Sequence, residues 1–170
     1  MISRVASATT LALLVGAFTV PASAGADNNR LNEDVVAGVH NMMMLNRCAD
    51  SYKVEPMARV SPKLQLAAQW HTLDVLGNRN LDGDIGSNGS TVADRARAAG
   101  YNGNVAETVA INPALAISGV EVMDQWANRP DYRAIMSSCA NVDIGVWSEN
   151  SLDRTVLVAV YGRGDATPYG

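Results

Sequence analysis

Histidine is scarce in this chain, with only His40 and His71 among 170 residues. A catalytic zinc site takes about three protein ligands, usually including histidine, and keeps one position open. Both histidines fall on helical stretches, and His71 lies on an apolar stripe, where a satisfied structural histidine is expected. Zinc hydrolysis and proteolysis are therefore disfavoured. No G-x-S-x-G elbow and no Cys/His nucleophile signature occurs either. Basic runs are also lacking, and the net charge is −4. That pattern excludes the electrostatic footprint of a nucleic-acid binder.

No apolar run reaches the roughly 20 residues needed to span a bilayer. The run "LALLVGAFTV" follows Arg4 and precedes the small-x-small site Ala22-Ser23-Ala24. This describes a secretory signal peptide over residues 1–24, cleaved after Ala24. Residues 25–30 then form a short N-terminal segment, 31–163 the folded domain and 164–170 a flexible tail rich in Pro, Gly and Asp. Taking 24 residues from 170 leaves 146, the size of one ordinary domain. Arg4 is the only charge removed, so 12 basic and 17 acidic residues remain, a net charge of −5. No transmembrane anchor survives cleavage. The expected location is extracellular, free or associated with the cell envelope.

The only cysteines, Cys48 and Cys139, form an even pair, which an oxidising compartment favours as a disulfide. Two short motifs carry little. Asn88-Gly89-Ser90 is a glycosylation sequon by pattern. Arg163-Gly164-Asp165 spells an adhesion tripeptide, but in an expected mobile tail.

Apolar residues at Leu31, Val35, Val39, Met42 and Met43 predict a first helix from Leu31 to about Ser51. Ser61-Pro62 is an N-cap followed by proline at the first helical position. It starts a second helix whose stripe runs through Leu64, Ala67, Ala68, His71 and Val75 to Gly77-Asn78. "VADRARAAG" predicts a short helix. Asn112-Pro113 has the same cap grammar and predicts a helix through Ala116, Val120 and Met123 into "MDQWANRPDYRAIM", which Pro130 interrupts. Strands are expected at 104–111, 143–147 and 155–162, the last two joined as a hairpin.

In the first of these strands Val105, Val109 and Ile111 share a face, and Glu107 shares it with them. A carboxylate on an apolar strand face costs several kcal/mol unless paired or protonated. Glu107 therefore needs a partner, and its position marks a candidate site. Tyr132, Arg129 and Arg133 are the expected partners, with a Glu107–Tyr132 contact predicted.

"LNR" (45–47), "SPKLQLAAQWHTLD" (61–74), "GSNGST" with "DRARAAGY" (86–101), "VAETVA" (105–110), "WANRPDYRAIM" (126–136) and "DIGVW" (143–147) occur in that order. In this order they resemble the CAP superfamily, or SCP domain, of cysteine-rich secretory proteins, antigen five and pathogenesis-related proteins. The short bacterial branch is the nearest. The resemblance runs from about Leu31 to Gly162. It implies an α+β fold, an α-β-α sandwich with a small antiparallel sheet covered by helices on both faces.

The resemblance also implies a cleft where histidines and acidic residues gather and with which zinc is associated. At the first histidine position this chain has Asp84. Glu107 retains the glutamate but in Ala106-Glu107-Thr108, and Tyr132 replaces the second histidine. Arg129 stands at the second acid of the eukaryotic members. One position of four keeps its residue type.

These departures point to a non-catalytic secreted protein, with Asp84, Glu107, Arg129, Tyr132 and Arg133 lining an altered cleft. No cofactor is expected. The ligand would be extracellular: a lipid or sterol, a protein or an envelope component. The groove between helices and sheet offers an apolar pocket. The alternative is an extracellular hydrolase, metal-assisted or using Asp84 and Glu107 as a carboxylate pair. A weak calcium-loop pattern runs through Asn78, Asn80, Asp82 and Asp84, but Gly89 stands where a bidentate glutamate belongs. An Asx/Gly turn accounts for the same residues.

Overall fold

The structure, a computed structural model, describes residues 23–48, 58–113 and 117–165, with side chains from Asn28 onward. The apolar run of the expected signal peptide lies outside the described residues. The expected cleavage point falls in the first turn of α1 (Ser23–Leu45).

On α1, Leu31, Val35, Val39 and Met43 recur every fourth residue and are buried. Its C-terminus closes through Cys48 N–H to the Met43 carbonyl and Arg47 N–H to the Met44 carbonyl. Arg47 takes the left-handed φ of 57° that this cap requires. The helix ends at Leu45, short of the expected Ser51, because that cap turns the chain. Beyond it, Cys48 is bonded to Cys139 with Cα atoms 4.9 Å apart, as expected.

After β1 (Arg59–Val60), α2 (Pro62–Gly77) begins where the cap grammar put it, with the Ser61 side chain accepting from Leu64 N–H. Leu64, Ala67, Ala68, His71 and Val75 are all buried. α3 (Val92–Ala98) follows a reciprocal capping box between Thr91 and Asp94. β2 (Val105–Asn112) comes next.

The following helix differs from expectation. Asn112 ends β2, and α4 (Gly119–Ala127) starts at a Ser118–Glu121 capping box. Val122 and Trp126 are therefore the buried positions, while Val120 is exposed. Ala116 lies outside the described residues. Pro130 does not interrupt a helix: it opens a new one, α5 (Pro130–Met136), with Arg129 as N-cap residue. Proline lacks the N–H that a first-turn residue would leave unpaired, so it fits there.

β3 (Asp143–Asn150) and β4 (Thr155–Gly162) complete a four-stranded sheet in the order β1-β3-β4-β2. The three long strands are antiparallel, and the short β1 pairs parallel to β3. The sheet is thus mixed. A two-residue strand has no alternation to read, so β1 was invisible in the sequence.

Each strand sends alternate side chains to opposite layers. Val109, Val156, Val158 and Val160 pack with Leu64, Ala68 and Val75 under α2 and α3. Ala110, Leu157, Ala159 and Tyr161 pack with Val35, Val39 and Trp126 under α1, α4 and α5. This is the expected α-β-α sandwich. It leaves β2 as an edge strand, and the cleft forms there.

Candidate functional site

Odd-numbered β2 side chains face the α2/α3 layer, so Glu107 enters an otherwise apolar face, where it is 5 % exposed. Its partner comes from α3. Arg95 Nη2 donates to both carboxylate oxygens, at 2.9 and 3.1 Å. The same nitrogen donates to the Asp84 carbonyl, and Nη1 donates to the Ser90 carbonyl. Arg95 therefore fastens the 84–90 loop to β2. Asp74 on α2 holds the loop's other side by accepting the Ser87 N–H.

His71 packs behind this pair with no exposed surface. Its Nε2 lies 2.9 Å from the Gly83 carbonyl, which can only accept, so Nε2 carries the proton. The same nitrogen is 3.6 Å from Glu107 Oε1. Nδ1 is buried with no partner, so only half of this histidine is satisfied. Burial holds the His71 pKa below its usual value, with Arg95 adding to that. Burial also raises Glu107 to about 7, outweighing Arg95, while Asp84 pushes it further up.

A cavity of about 380 Å³ opens beside Glu107, walled by Asp82, Asp84, Arg129, Tyr132 and Ile135 among others. Four of the five expected cleft residues thus meet there: Asp84, Glu107, Arg129 and Tyr132. Arg133 is exposed on α5 and does not line it. Glu107 and Tyr132 line the same cavity, but no direct hydrogen bond joins them among the described residues. Tyr132 approaches from the α5 side of the sheet, and its hydroxyl accepts the Val109 N–H. Arg129 stacks over the Tyr132 ring at 3.6 Å and pairs with Asp131 rather than Glu107.

Arg95 is the site residue that sequence reasoning overlooked. One signal was present: Val92, Ala96 and Ala99 trace the apolar stripe of α3, and Arg95 sits beside it. A buried arginine on one element and a buried glutamate on another are each costly alone and complementary together.

The residues present do not fit a metal ion. The His71 nitrogen nearest Glu107 is protonated, and Arg95 already occupies both carboxylate oxygens. Among the described residues no group of three or more His, Cys, Asp or Glu side chains could hold a metal. In the calcium-loop stretch, Asn78 is the C-cap residue of α2 and its side chain accepts the Asn80 N–H in a local turn. Of the expected tail only Gly164 and Asp165 are described, and Asp165 pairs with Lys63 and accepts the Asn102 N–H.

No protein-family model and no curated protein matches the sequence. Solved structures do. An extracellular protein of Bacillus anthracis containing an SCP domain aligns with a TM-score of 0.70 at 14% identity, covering 86% of this chain and 44% of that one. A cysteine-rich secretory protein of Staphylococcus aureus aligns at 0.56 and 11%, covering 85% and 40%. This chain thus spans less than half of each. An outer surface protein of Borrelia burgdorferi aligns at 0.62 and 14%, covering 77% of this chain and 92% of that one. No helix among the described residues is long and apolar enough to cross a membrane. With its two helical layers, its edge-strand cleft and these structural likenesses, the chain has the SCP-domain fold.

Proposed function

We propose that this chain is a secreted, non-catalytic protein of the CAP superfamily whose altered cleft binds an extracellular ligand. The observation that carries the reading is Arg95 on both Glu107 oxygens. A guanidinium in that place repels a divalent cation and commits the carboxylate that a metal-assisted hydrolase would need. Asp84, Arg129 and Tyr132 remain to make polar and aromatic contacts with a ligand.

Metal analysis of the mature secreted protein, with thermal melts in the presence and absence of EDTA, tests this. A ligand that binds only the native state raises its apparent stability. The expected result is no stoichiometric metal and superimposable melts. A chelator-induced fall in Tm overturns the reading. Extraction of protein secreted by its own host, followed by mass spectrometry, identifies a lipid or sterol cargo.

One observation favours a second reading, a carboxylate-pair hydrolase. Glu107 titrates at about 7, where a general acid works near neutral pH. In that reading Asp84, on the same cavity wall, is the second carboxyl group. Hydrolysis that disappears in Glu107→Gln would establish it.

A further inference from the structure

The free edge of β2 is capped at Val109 and open on the Val105–Glu107 side, which lines the cavity. The Arg163 N–H donates to the Asn104 carbonyl, and Asn104 and Arg163 are opposite in the β2–β4 register. Even-numbered residues of β2 therefore exchange hydrogen bonds with β4, and odd-numbered residues turn their N–H and C=O outward. At Val109 both outward groups are occupied: Trp126 Nε1 donates to the carbonyl at 3.1 Å, and Tyr132 accepts the N–H. At Val105 and Glu107 the outward backbone groups have no partner among the described residues. Both residues line the 380 Å³ cavity. Buried backbone groups are almost always paired, with protein, water or ligand.

We propose that the cleft, read above as a ligand site, takes a short extended segment of another protein. That segment adds as a strand to the open end of β2, with a basic side chain opposite Glu107. Four outward groups, two each on Val105 and Glu107, supply the main-chain hydrogen bonds, as in other strand-addition complexes. The Trp126–Tyr132 cap at Val109 stops the segment and sets its register.

Side chains on paired strands share a face when opposite. The residue across from Glu107 therefore points to the layer holding Asp82, Asp84, Glu107 and Arg95, where three carboxylates face one guanidinium. A lysine or arginine fits that imbalance. The next residue of the segment points to the other layer, against Tyr132 and Ile135, and is apolar. There Arg129 and Asp131 already neutralise each other.

The test titrates the mature chain with acetyl-Ala-Lys-Val-Val-amide by calorimetry and amide NMR. Two control peptides are used, one with glutamate for lysine and one N-methylated at the lysine nitrogen. Saturable binding is expected, with amide shifts at Val105 and Glu107. Each control should bind at least about tenfold more weakly, roughly 1.4 kcal/mol. Val105→Pro removes an outward N–H and leaves the β4 ladder intact, a position where an edge strand tolerates proline. That variant should fold with an unchanged circular dichroism spectrum and lose the binding.

Equal binding of all three peptides, or none at millimolar concentration, overturns the proposal. So does a β2-paired dimer in ultracentrifugation that the lysine peptide leaves intact. A lipid found by extraction alongside absent peptide binding leaves the ligand-binding reading standing and removes only this inference. Cleavage of a bound peptide supports the docking and overturns the non-catalytic reading.

Discussion

Replacing Arg95 with leucine would strand Glu107 on an apolar sheet face and release the 84–90 loop, since one guanidinium serves the carboxylate, the Asp84 carbonyl and the Ser90 carbonyl. Removing one partner of a buried ion pair costs about 3–5 kcal/mol. Urea denaturation of Arg95→Leu should show a loss that is smaller at pH 7, where Glu107 can take up a proton, and grows toward that size as pH rises. Glu107→Gln asks a different question. A carboxyl whose pKa is raised in the fold, from 4.5 to about 7, is favoured there in its protonated form. Its contribution is fully present below about pH 4.5 and is lost as pH rises through 7. His71 works in the opposite sense, because a lowered histidine pKa removes stability as pH falls below 6.5. The difference between wild type and Glu107→Gln isolates the glutamate. The wild type's advantage over the variant should shrink from pH 4.5 to 8, and a difference independent of pH would contradict the assignment.

Among the elements, α2 and β3 meet most tightly at Gly145. A Cβ there would lie 2.1 Å from the Gln65 backbone nitrogen, a contact that no rotamer change relieves. Gly145→Ala must push the helix off the sheet, and a cost of about 3 kcal/mol is expected from overpacking. Calorimetry should show it as a lowered Tm. α2 also shows where sequence grammar is dependable. Ser61-Pro62 specifies a helix start by local chemistry, the cap hydroxyl and the absent proline N–H, and both act within four residues. Asn112-Pro113 has the same grammar, yet Asn112 is the last residue of β2, paired with Thr155 on β4. Non-local pairing won there. Pro130, read as an interruption, instead opens α5 by the same local proline chemistry that starts α2.

For the whole molecule, the Cys48–Cys139 bond closes a separation of 91 residues, tying the end of α1 to the connection between α5 and β3. On chain entropy a loop of that length contributes about 4–5 kcal/mol. Cys48→Ser should lose a large share of that in reversible denaturation, and a loss below about 1 kcal/mol would mean that the unfolded chain gains little freedom. The pairing was legible because only two cysteines were available. The mixture of helices and late alternating strands was legible from spacing, the α-β-α sandwich came from the resemblance to the CAP superfamily, and Glu107 was identifiable as a buried carboxylate by period alone. The sandwich apart, these features depend on local spacing and residue count. Which cation meets Glu107, that Tyr132 turns instead to the Val109 N–H, and that Arg133 stays outside the cleft are facts of layers crossing at an edge strand. The sequence set the need for a partner, because desolvating a carboxylate is costly in any fold. Only the tertiary structure could choose Arg95: its place beside the apolar stripe of α3 signals burial, but packing is what brings α3 against β2.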